Sequence, residues 1–253
     1  MAVKFFILLV SFLLISIDAY EGNAPANIFA SGNNKFVLPA LIRGLYKKYP
    51  DVRVVVQYGS TGDLANSIIE GVNYDIFLAA DMKFPQVLYE AHKALHPPKE
   101  YARGSVILFV PADKTLHQKK LKILKDKRIR NITIANKKTA PYGMAAIEIL
   151  NNASLFKSLK NKIRYSTDIS TAITNVIWYD DAGFLSKSAI ESLPAAYRAE
   201  GINWIEVDQS LYKPIIQGYV ISKQAVENSN ATKFIDFLLS QEGQAIYKAY
   251  GYK

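Results

Sequence analysis

The pair Ser60-Thr61, bounded by Gly59 and Gly62, is the segment whose residue types point most directly to chemistry. It follows a strand-like run, Arg53 to Tyr58, and precedes apolar residues at helical spacing. A turn of this kind directs free backbone N–H groups and two hydroxyls at one point, which is the geometry that holds an oxyanion. An ordinary helix N-cap between turn glycines fits the same residues, so this segment alone leaves both interpretations open.

Three further segments place polar residues where a strand-like run leads into a helical one. They are Ser31 to Asn34, Thr139 to Gly143, and Ser166 to Ser170. Each one alone fits a plain turn or cap. Because ligands of open α/β sheets lie beyond the carboxyl ends of the strands, the four segments together predict one shared binding cleft.

The other candidate sites are weaker. His92 and His96 have the spacing of two metal ligands, but the Glu of a His-Glu-x-x-His motif is missing between them. His117 lies in a basic run, so no Ser/His/Asp set is suggested, and Asp180-Asp181 is interpreted as a solvated turn. The run from Lys114 to Arg130 holds eight Lys or Arg and no aromatic residue, which favours a solvated face over a nucleic-acid site.

Short apolar runs alternate with helical spacing along most of the chain, which is the rhythm of βαβ units. This pattern predicts an α/β protein with a mainly parallel sheet in each of two lobes. The predicted strands are Asn27 to Ala30, Arg53 to Tyr58, Tyr74 to Ala79, Ser105 to Val110, Asn131 to Ala135, Lys162 to Tyr165, Gly183 to Leu185, Trp204 to Val207 and Gly218 to Ile221, and one helix is predicted over Thr232 to Ala249.

The final strand and helix return to the first lobe in this prediction. Lobe one is predicted to contain residues 20–103 plus 216–253, and lobe two residues 104–215. Two crossings between lobes form a hinge. The chain length of 253 residues agrees with two medium lobes.

Composition and the first residues indicate an exported globular protein. The sequence has zero cysteines and a formal charge of +9, which excludes disulfides and thiolate chemistry and attracts anions. Lys4 precedes an apolar run from Phe5 to Ile17, which is shorter than the roughly 20 residues that span a bilayer. Residues 1–19 are therefore interpreted as a signal peptide cleaved after Ala19, and the mature protein as a free periplasmic one.

Several motifs give the sequence a family resemblance. They are Gly59-Ser60-Thr61-Gly62, the run Tyr74 to Asp81, Ala140-Pro141-Tyr142-Gly143, and Asp181-Ala182-Gly183-Phe184 in this order. With them the mature chain resembles the substrate-binding proteins of molybdate ABC transporters. The resemblance implies a two-lobed Venus flytrap protein, with no catalytic activity and no cofactor, which captures molybdate or tungstate and delivers it to a membrane permease. It also implies a monomer that binds no nucleic acid and has no direct ligand for a metal cation.

Carried over by position, the resemblance places the anion against Asn33, Ser60, Thr61, Tyr142 and Ile169, the last two acting through backbone N–H groups. The family's first loop carries a hydroxyl near Asn33, which here would come from Ser31, next to Gly32. Some members have a tyrosine where this chain has Ser186.

Two other functions stay open on the residues alone. One is an exported α/β enzyme that acts on a phosphorylated or acidic substrate, although no histidine suits the role of general base near Ser60. The other is a ferric-ion receptor, since 16 tyrosines offer phenolate ligands.

Overall fold

The computed structural model describes residues 24–111 and 116–253. The predicted signal peptide 1–19, its cleavage after Ala19 and residue Lys114 of the basic run lie outside the described residues.

The strands are β1 (Ala26–Ser31), β2 (Val54–Gly59), β3 (Ile76–Leu78), β4 (Lys99–Gly104), β5 (Val106–Phe109), β6 (Ile132–Ala135), β7 (Ile163–Ser166), β8 (Ala182–Ser186), β9 (Trp204–Glu206) and β10 (Ile215–Ile221). The α-helices are α1 (Asn34–Lys48), α2 (Thr61–Ile69), α3 (Lys83–Glu90), α4 (Leu116–Lys119), α5 (Pro141–Asn152), α6 (Phe156–Leu159), α7 (Ile169–Trp178), α8 (Ser229–Leu239) and α9 (Gln241–Ala249). Short 3-10 helices cover Lys120–Lys125, Lys160–Lys162, Lys187–Ser192, Ala195–Tyr197, Gln209–Leu211 and Gln224–Val226. Within these ranges no helix combines the length and apolar character that crossing a membrane requires.

The strands form two sheets, each the centre of one lobe. Sheet A has the order β2-β1-β3-β10-β4 and sheet B the order β7-β6-β8-β5-β9. The chain crosses between the sheets at Ser105 and again between Glu206 and Ile215. The predicted two-lobed α/β fold is therefore confirmed, while the exact residue boundaries of the lobes stay a prediction.

The sheets are mixed, which differs from the mainly parallel arrangement that was expected. In sheet A, β1 is parallel to β2 and β3, but β10 is antiparallel to both β3 and β4. In sheet B, β6 is parallel to β7 and β8, while β5 is antiparallel to β8 and β9. The antiparallel pairings all involve the strands β5 and β10, which follow the crossings and are not part of a βαβ unit.

The core of sheet A shows why its strands form. Ile28 and Ala30 face one side with α1, α8 and α9, whereas Phe29 faces the other side with α2 and α3. This alternation follows the two-residue period of a strand, and both faces are covered by helices. The strands β5 and β6 of sheet B are buried along their whole length in a separate core.

The structure differs from the prediction at one helix and at one strand. The single helix predicted over Thr232 to Ala249 is two helices, because the backbone of Ser240 is extended and its Oγ accepts from the N–H of Gly243, which starts α9. The strand β4, Lys99–Gly104, was not predicted, since half of its residues are charged and exposed. Its pairing with β10 holds it in the sheet.

Candidate functional site

The four predicted strand-to-helix segments meet at one small pocket between the lobes. Its lining consists of Ser31, Gly32, Asn33, Gly59, Ser60, Thr61, Ala80, Ala140, Pro141, Tyr142, Asp168 and Ile169. The helices α1, α2, α5 and α7 all begin at this lining. The first N–H groups of a helix have no partner within the helix and carry the positive end of its dipole, so four such ends make the pocket attractive to an anion.

The pocket is small because the two lobes are in contact beside it. Its free volume is about 10 Å³, close to that of one water-sized sphere. The N–H of Gly62 in lobe one donates to the carbonyl oxygen of Thr139 in lobe two at 2.8 Å. A Cβ on Gly32 would lie 3.3 Å from Cγ2 of Ile169, so the loop of lobe one packs directly on α7 of lobe two. In this arrangement the lobes leave room for no more than a water-sized group, so a ligand enters only when the lobes move apart.

Ser60 and Thr61 start α2 and present their hydroxyls at the pocket. The Oγ of Ser60 is buried and has no hydrogen-bond partner. A buried polar atom without a partner is costly, and the hydroxyl of Ser60 is therefore free to bond to a ligand in the pocket. Thr61 Oγ1 accepts from the N–H of Ala80 at 3.3 Å, and this leaves the Thr61 hydroxyl proton available for donation.

In the loop after β1, the side chains are already hydrogen-bonded to other groups of the protein. The Nδ2 of Asn33 donates to Oε1 of Gln217 at 2.9 Å and to the hydroxyl of Tyr252 at 2.8 Å, while its Oδ1 accepts from Ser31 Oγ at 2.8 Å. Ser31 Oγ also accepts from Nδ2 of Asn34 at 3.0 Å. The structure therefore brings Ser31, Gly32 and Asn33 to the pocket but leaves Asn33 only its backbone N–H to offer to an anion, and Ser31 no free proton.

Tyr142 lies in the first turn of α5, with Pro141 at the first helical position. Its side chain is almost fully buried, and Nε2 of Gln217 donates to its hydroxyl at 3.3 Å. Burial raises the pKa of Tyr142 well above its ordinary value, so the phenol stays neutral. The side chain shapes the site, while the backbone N–H at the start of α5 faces the pocket.

Ile169 is the first residue of α7, and the preceding Asp168 caps the helix. The Oδ1 of Asp168 accepts from the N–H of Thr171 at 2.8 Å and from Ser170 Oγ at 2.7 Å. Asp168 also belongs to the lining of the pocket. The five residues that the family resemblance places against the anion are all neutral. The lining does lack Lys and Arg, but it contains this one carboxylate.

The remaining sequence candidates lie outside the pocket. Ser186 is fully buried, and its Oγ accepts from Ser188 Oγ at 3.0 Å. The Asp180-Asp181 pair is not a solvated turn: Asp180 accepts from Thr133 Oγ1, and Asp181 Oδ2 accepts from the N–H of Arg130 at 2.7 Å. Both carboxylates thus bind residues at the N-terminal end of β6.

The pair His92 and His96 gives no sign of a metal site. His96 Nδ1 is 2.6 Å from the carbonyl oxygen of Pro97, and its ring packs edge-on against Tyr219. Across residues 24–111 and 116–253, no group of three or more His, Cys, Asp or Glu side chains is placed to hold a metal ion.

The sequence analysis missed the buried amides and phenols behind the first loop. Gln217 and Tyr252 both contact Asn33, yet they are 184 and 219 residues away along the chain. A buried glutamine between apolar strand residues, as in Ile215–Ile221, is the one signal that marked this network in advance.

Comparison with known proteins identifies relatives of the whole described chain. Residues 26–253 match the family model described as bacterial extracellular solute-binding protein. The molybdate-binding protein ModA of Rhodobacter capsulatus is 30% identical over 233 residues, which covers 90% of this chain and 89% of the relative.

Solved structures agree with this relationship. The periplasmic molybdate-binding protein of Azotobacter vinelandii superposes with a TM-score of 0.81 at 28% identity, covering 90% of this chain and 98% of that one. The sulfate-binding protein SubI of Mycobacterium tuberculosis has a TM-score of 0.70 at 14% identity, covering 90% and 86%. At that identity the second likeness shows the shared fold alone.

Proposed function

We propose that this chain, which belongs to the family of bacterial extracellular solute-binding proteins, captures molybdate or tungstate between its lobes for an ABC transporter. The oxyanion is bound and released without a chemical reaction, and a membrane permease is the partner that receives it. The molybdate-binding relatives cover nine-tenths of the chain, and the pocket presents the hydroxyls and helix N-termini that suit an oxyanion.

The observation that carries the proposal is the unpartnered, buried hydroxyl of Ser60 at the meeting point of four helix N-termini. A tetrahedral dianion has four oxygens that accept hydrogen bonds. We assign them to the hydroxyls of Ser60 and Thr61 and to backbone N–H groups of Asn33, Tyr142 and Ile169. Each charge-assisted bond contributes roughly 1.5 to 3 kcal/mol, so these donors bind a dianion without help from a lysine or arginine.

Selectivity against protonated anions follows because most of the assigned groups cannot accept a hydrogen bond. A protonated anion such as hydrogen phosphate needs an acceptor for its O–H. Three of the five assigned groups are N–H donors, and the one carboxylate of the lining, Asp168, already accepts from Ser170 and Thr171. Sulfate is smaller than molybdate and leaves the donors stretched. Tungstate has the same charge as molybdate and nearly its size, so we propose that both bind.

The two alternative functions have less support. An enzyme acting on a phosphorylated substrate needs a general base, and the lining contains no histidine, while its one carboxylate, Asp168, caps α7. A ferric-ion receptor needs several phenolates, but the lining offers one phenol, Tyr142, which is hydrogen-bonded to Gln217.

The cellular location, the oligomeric state and the lobe boundaries are also part of the proposal. We propose export to the periplasm with removal of residues 1–19, a monomer with no role in binding nucleic acid, and lobes with the boundaries 20–103 plus 216–253 and 104–215. The crossings near Ser105 and between Glu206 and Ile215 act as the hinge about which the lobes close on the anion.

A thermal-shift panel of oxyanions tests the function. A ligand that binds only the native state at about 100 times its Kd stabilises the protein by about 2.7 kcal/mol. We expect a clear rise in Tm with molybdate and with tungstate and none with sulfate or phosphate at the same concentration. A rise with phosphate or sulfate alone would overturn the proposed ligand. Isothermal calorimetry on the mature protein gives the affinity.

A further inference from the structure

Gln217 is a fully buried polar side chain on β10, the strand that follows the second crossing between the lobes. The pairing of β10 with β4 shifts register between Gln217 and Gly218, whose partners Ala102 and Glu100 leave Tyr101 of β4 as the extra residue of a β-bulge. Bulges beside functional sites redirect a side chain out of the regular pattern. Here the bulged residue Tyr101 places its hydroxyl on the Gln217 amide, which also contacts Asn33 and Tyr142 of the pocket lining.

The Gln217 amide joins three separate parts of the molecule. Its Oε1 accepts from Asn33 Nδ2 at 2.9 Å and lies 2.8 Å from the hydroxyl of Tyr101 on β4. Its Nε2 donates to the hydroxyl of Tyr142 at 3.3 Å. The side chain therefore connects the first anion loop of lobe one, a strand that leads to a crossing, and the first turn of α5 in lobe two.

The Tyr142 hydroxyl occupies a defined position beside the hinge. A Cβ built on Gly104, the last residue of β4, would lie 2.1 Å from this hydroxyl and 2.9 Å from Gln217 Nε2. The phenol thus fits only because a glycine stands next to the crossing at Ser105. Movement of lobe two about that crossing changes the distance between the Tyr142 hydroxyl and the Gln217 amide.

We propose that Gln217 is a positioning residue that couples lobe closure to the anion site by holding Asn33 and Tyr142 in their binding geometry at the same time. The inference rests on the proposed oxyanion function and deepens it. An amide suits the role because one group accepts from Asn33 and donates to Tyr142. Neither a carboxylate nor an aliphatic side chain does both.

Two variants test the coupling from its two ends. Gln217→Leu removes all of the amide's bonds at nearly constant volume, and Tyr142→Phe removes only the hydroxyl while leaving the α5 backbone in place. With molybdate as the probe, we expect about a tenfold rise in the dissociation rate for Gln217→Leu and about a threefold rise for Tyr142→Phe, since each loses buried hydrogen bonds that act in the closed state. The double variant should lose less than the product of the two single effects.

Tyr74→Phe is the matched control. Tyr74 is also a buried tyrosine, and its hydroxyl donates to the carbonyl oxygen of Lys93 at 2.8 Å, in lobe one and away from the pocket. We expect it to lower Tm about as much as Tyr142→Phe and to leave the molybdate dissociation rate unchanged. An equal rise in dissociation rate in the control would show that Gln217 acts through general stability, which would overturn the proposal.

Lobe closure itself gives a readout that does not depend on molybdate. Because the chain has zero cysteines, spin labels can be placed on single cysteines introduced at the exposed positions Glu70 and Asn161, one in each lobe. We expect Gln217→Leu to shift the distance distribution toward open forms relative to wild type, both with and without molybdate. Unchanged distances together with an unchanged dissociation rate would overturn the role of Gln217. Failure of wild type to bind molybdate would instead overturn the proposed function, and the distances without anion would still test the hinge role.

Discussion

The N–H of Gly62 lies 2.8 Å from the carbonyl oxygen of Thr139 and donates a hydrogen bond to it. Gly62 is in the first turn of α2 in lobe one, and Thr139 precedes α5 in lobe two. The bond therefore joins the lobes directly beside the pocket. It also uses an N–H at the start of α2, so in the proposed site we expect closure and anion binding to depend on the same helix end.

Gly62→Ala should impede closure. A Cβ at this position would lie 3.0 Å from Cα of Thr139 and 2.7 Å from Cζ of Phe84. The backbone of Thr139 cannot move aside without separating the lobes, so we expect at least about a tenfold weaker affinity for molybdate by calorimetry. Asp63→Ala, an exposed change at the next position, is the control.

The Phe84 contact of the same variant needs its own test because it lies within lobe one. In a Phe84→Leu background the shorter side chain relieves that contact and leaves the one with Thr139. Loss of affinity should persist there. Recovery to the affinity of Phe84→Leu alone would show that Thr139 is not the obstacle.

Ser60→Ala should weaken binding without lowering stability in the absence of ligand. The Ser60 hydroxyl has no partner within the protein, so its removal breaks no bond and relieves a buried unsatisfied group. For molybdate we expect roughly a tenfold to hundredfold loss of affinity, and a larger loss when Thr61→Ala is added. Ser67→Ala on the same helix is the control, since Ser67 Oγ bonds to the carbonyl oxygen of Asp63. Wild-type affinity in the double variant would contradict the role of this loop.

Asp168→Asn should strengthen binding of a dianion. Asparagine keeps an oxygen that accepts from the N–H of Thr171, so the cap of α7 survives, while the negative charge at the pocket is removed. We expect molybdate to bind about threefold to tenfold more tightly at low salt, with a smaller gain at high salt. Equal affinities for variant and wild type at low salt would mean that the carboxylate is screened from the anion.

Asp81→Asn should change the pH dependence of stability. Burial raises the pKa of Asp81 to about 6 in the folded protein, above its ordinary value of 3.8. The native state therefore binds the proton more tightly than the unfolded state, so this group stabilises the fold as pH falls through 6 toward 4 and destabilises it at pH 7. Asparagine keeps an acceptor for the N–H of Phe84.

Thermal unfolding of wild type and Asp81→Asn between pH 4.5 and 8 tests this. We expect the variant to exceed wild type by the largest margin in Tm at pH 7 to 8, with the margin shrinking toward pH 4.5. Parallel curves across the range would show that the ionisation of Asp81 is not linked to folding.

Neutralising four exposed lysines, Lys120, Lys122, Lys125 and Lys127, should slow association and leave dissociation unchanged. These side chains lie in the basic run, outside the pocket lining. Their attraction for an anion acts over about 10 Å at 0.1 M salt. In stopped-flow measurements at low salt, the on-rate of the variant should therefore be lower than that of wild type. High salt should lower the on-rate of wild type until the two rates are equal. With all four lysines changed to glutamine, a faster dissociation rate would indicate that one of them reaches the bound anion.

The sequence alone was enough to predict the fold class and the four segments that line the pocket, because these depend on local features. Apolar runs such as Ile132–Ala135 define strands, and polar residues such as Ser60 and Asp168 stand where those strands end and helices begin. Strand ends and helix starts follow from residues a few positions apart, so their order along the chain is readable without the structure.

Only the tertiary structure decided which donors are free and which are already bonded. Asn33, Tyr142 and Tyr252 meet around Gln217 from positions up to 219 residues apart, and Ser60 Oγ differs from Ser31 Oγ only in what surrounds it. The antiparallel directions of β5 and β10 and the carboxylate of Asp168 in the pocket were likewise settled by packing between distant segments. Hydrogen-bond satisfaction and charge environment depend on all neighbours in space, and no local pattern in the chain contains that information.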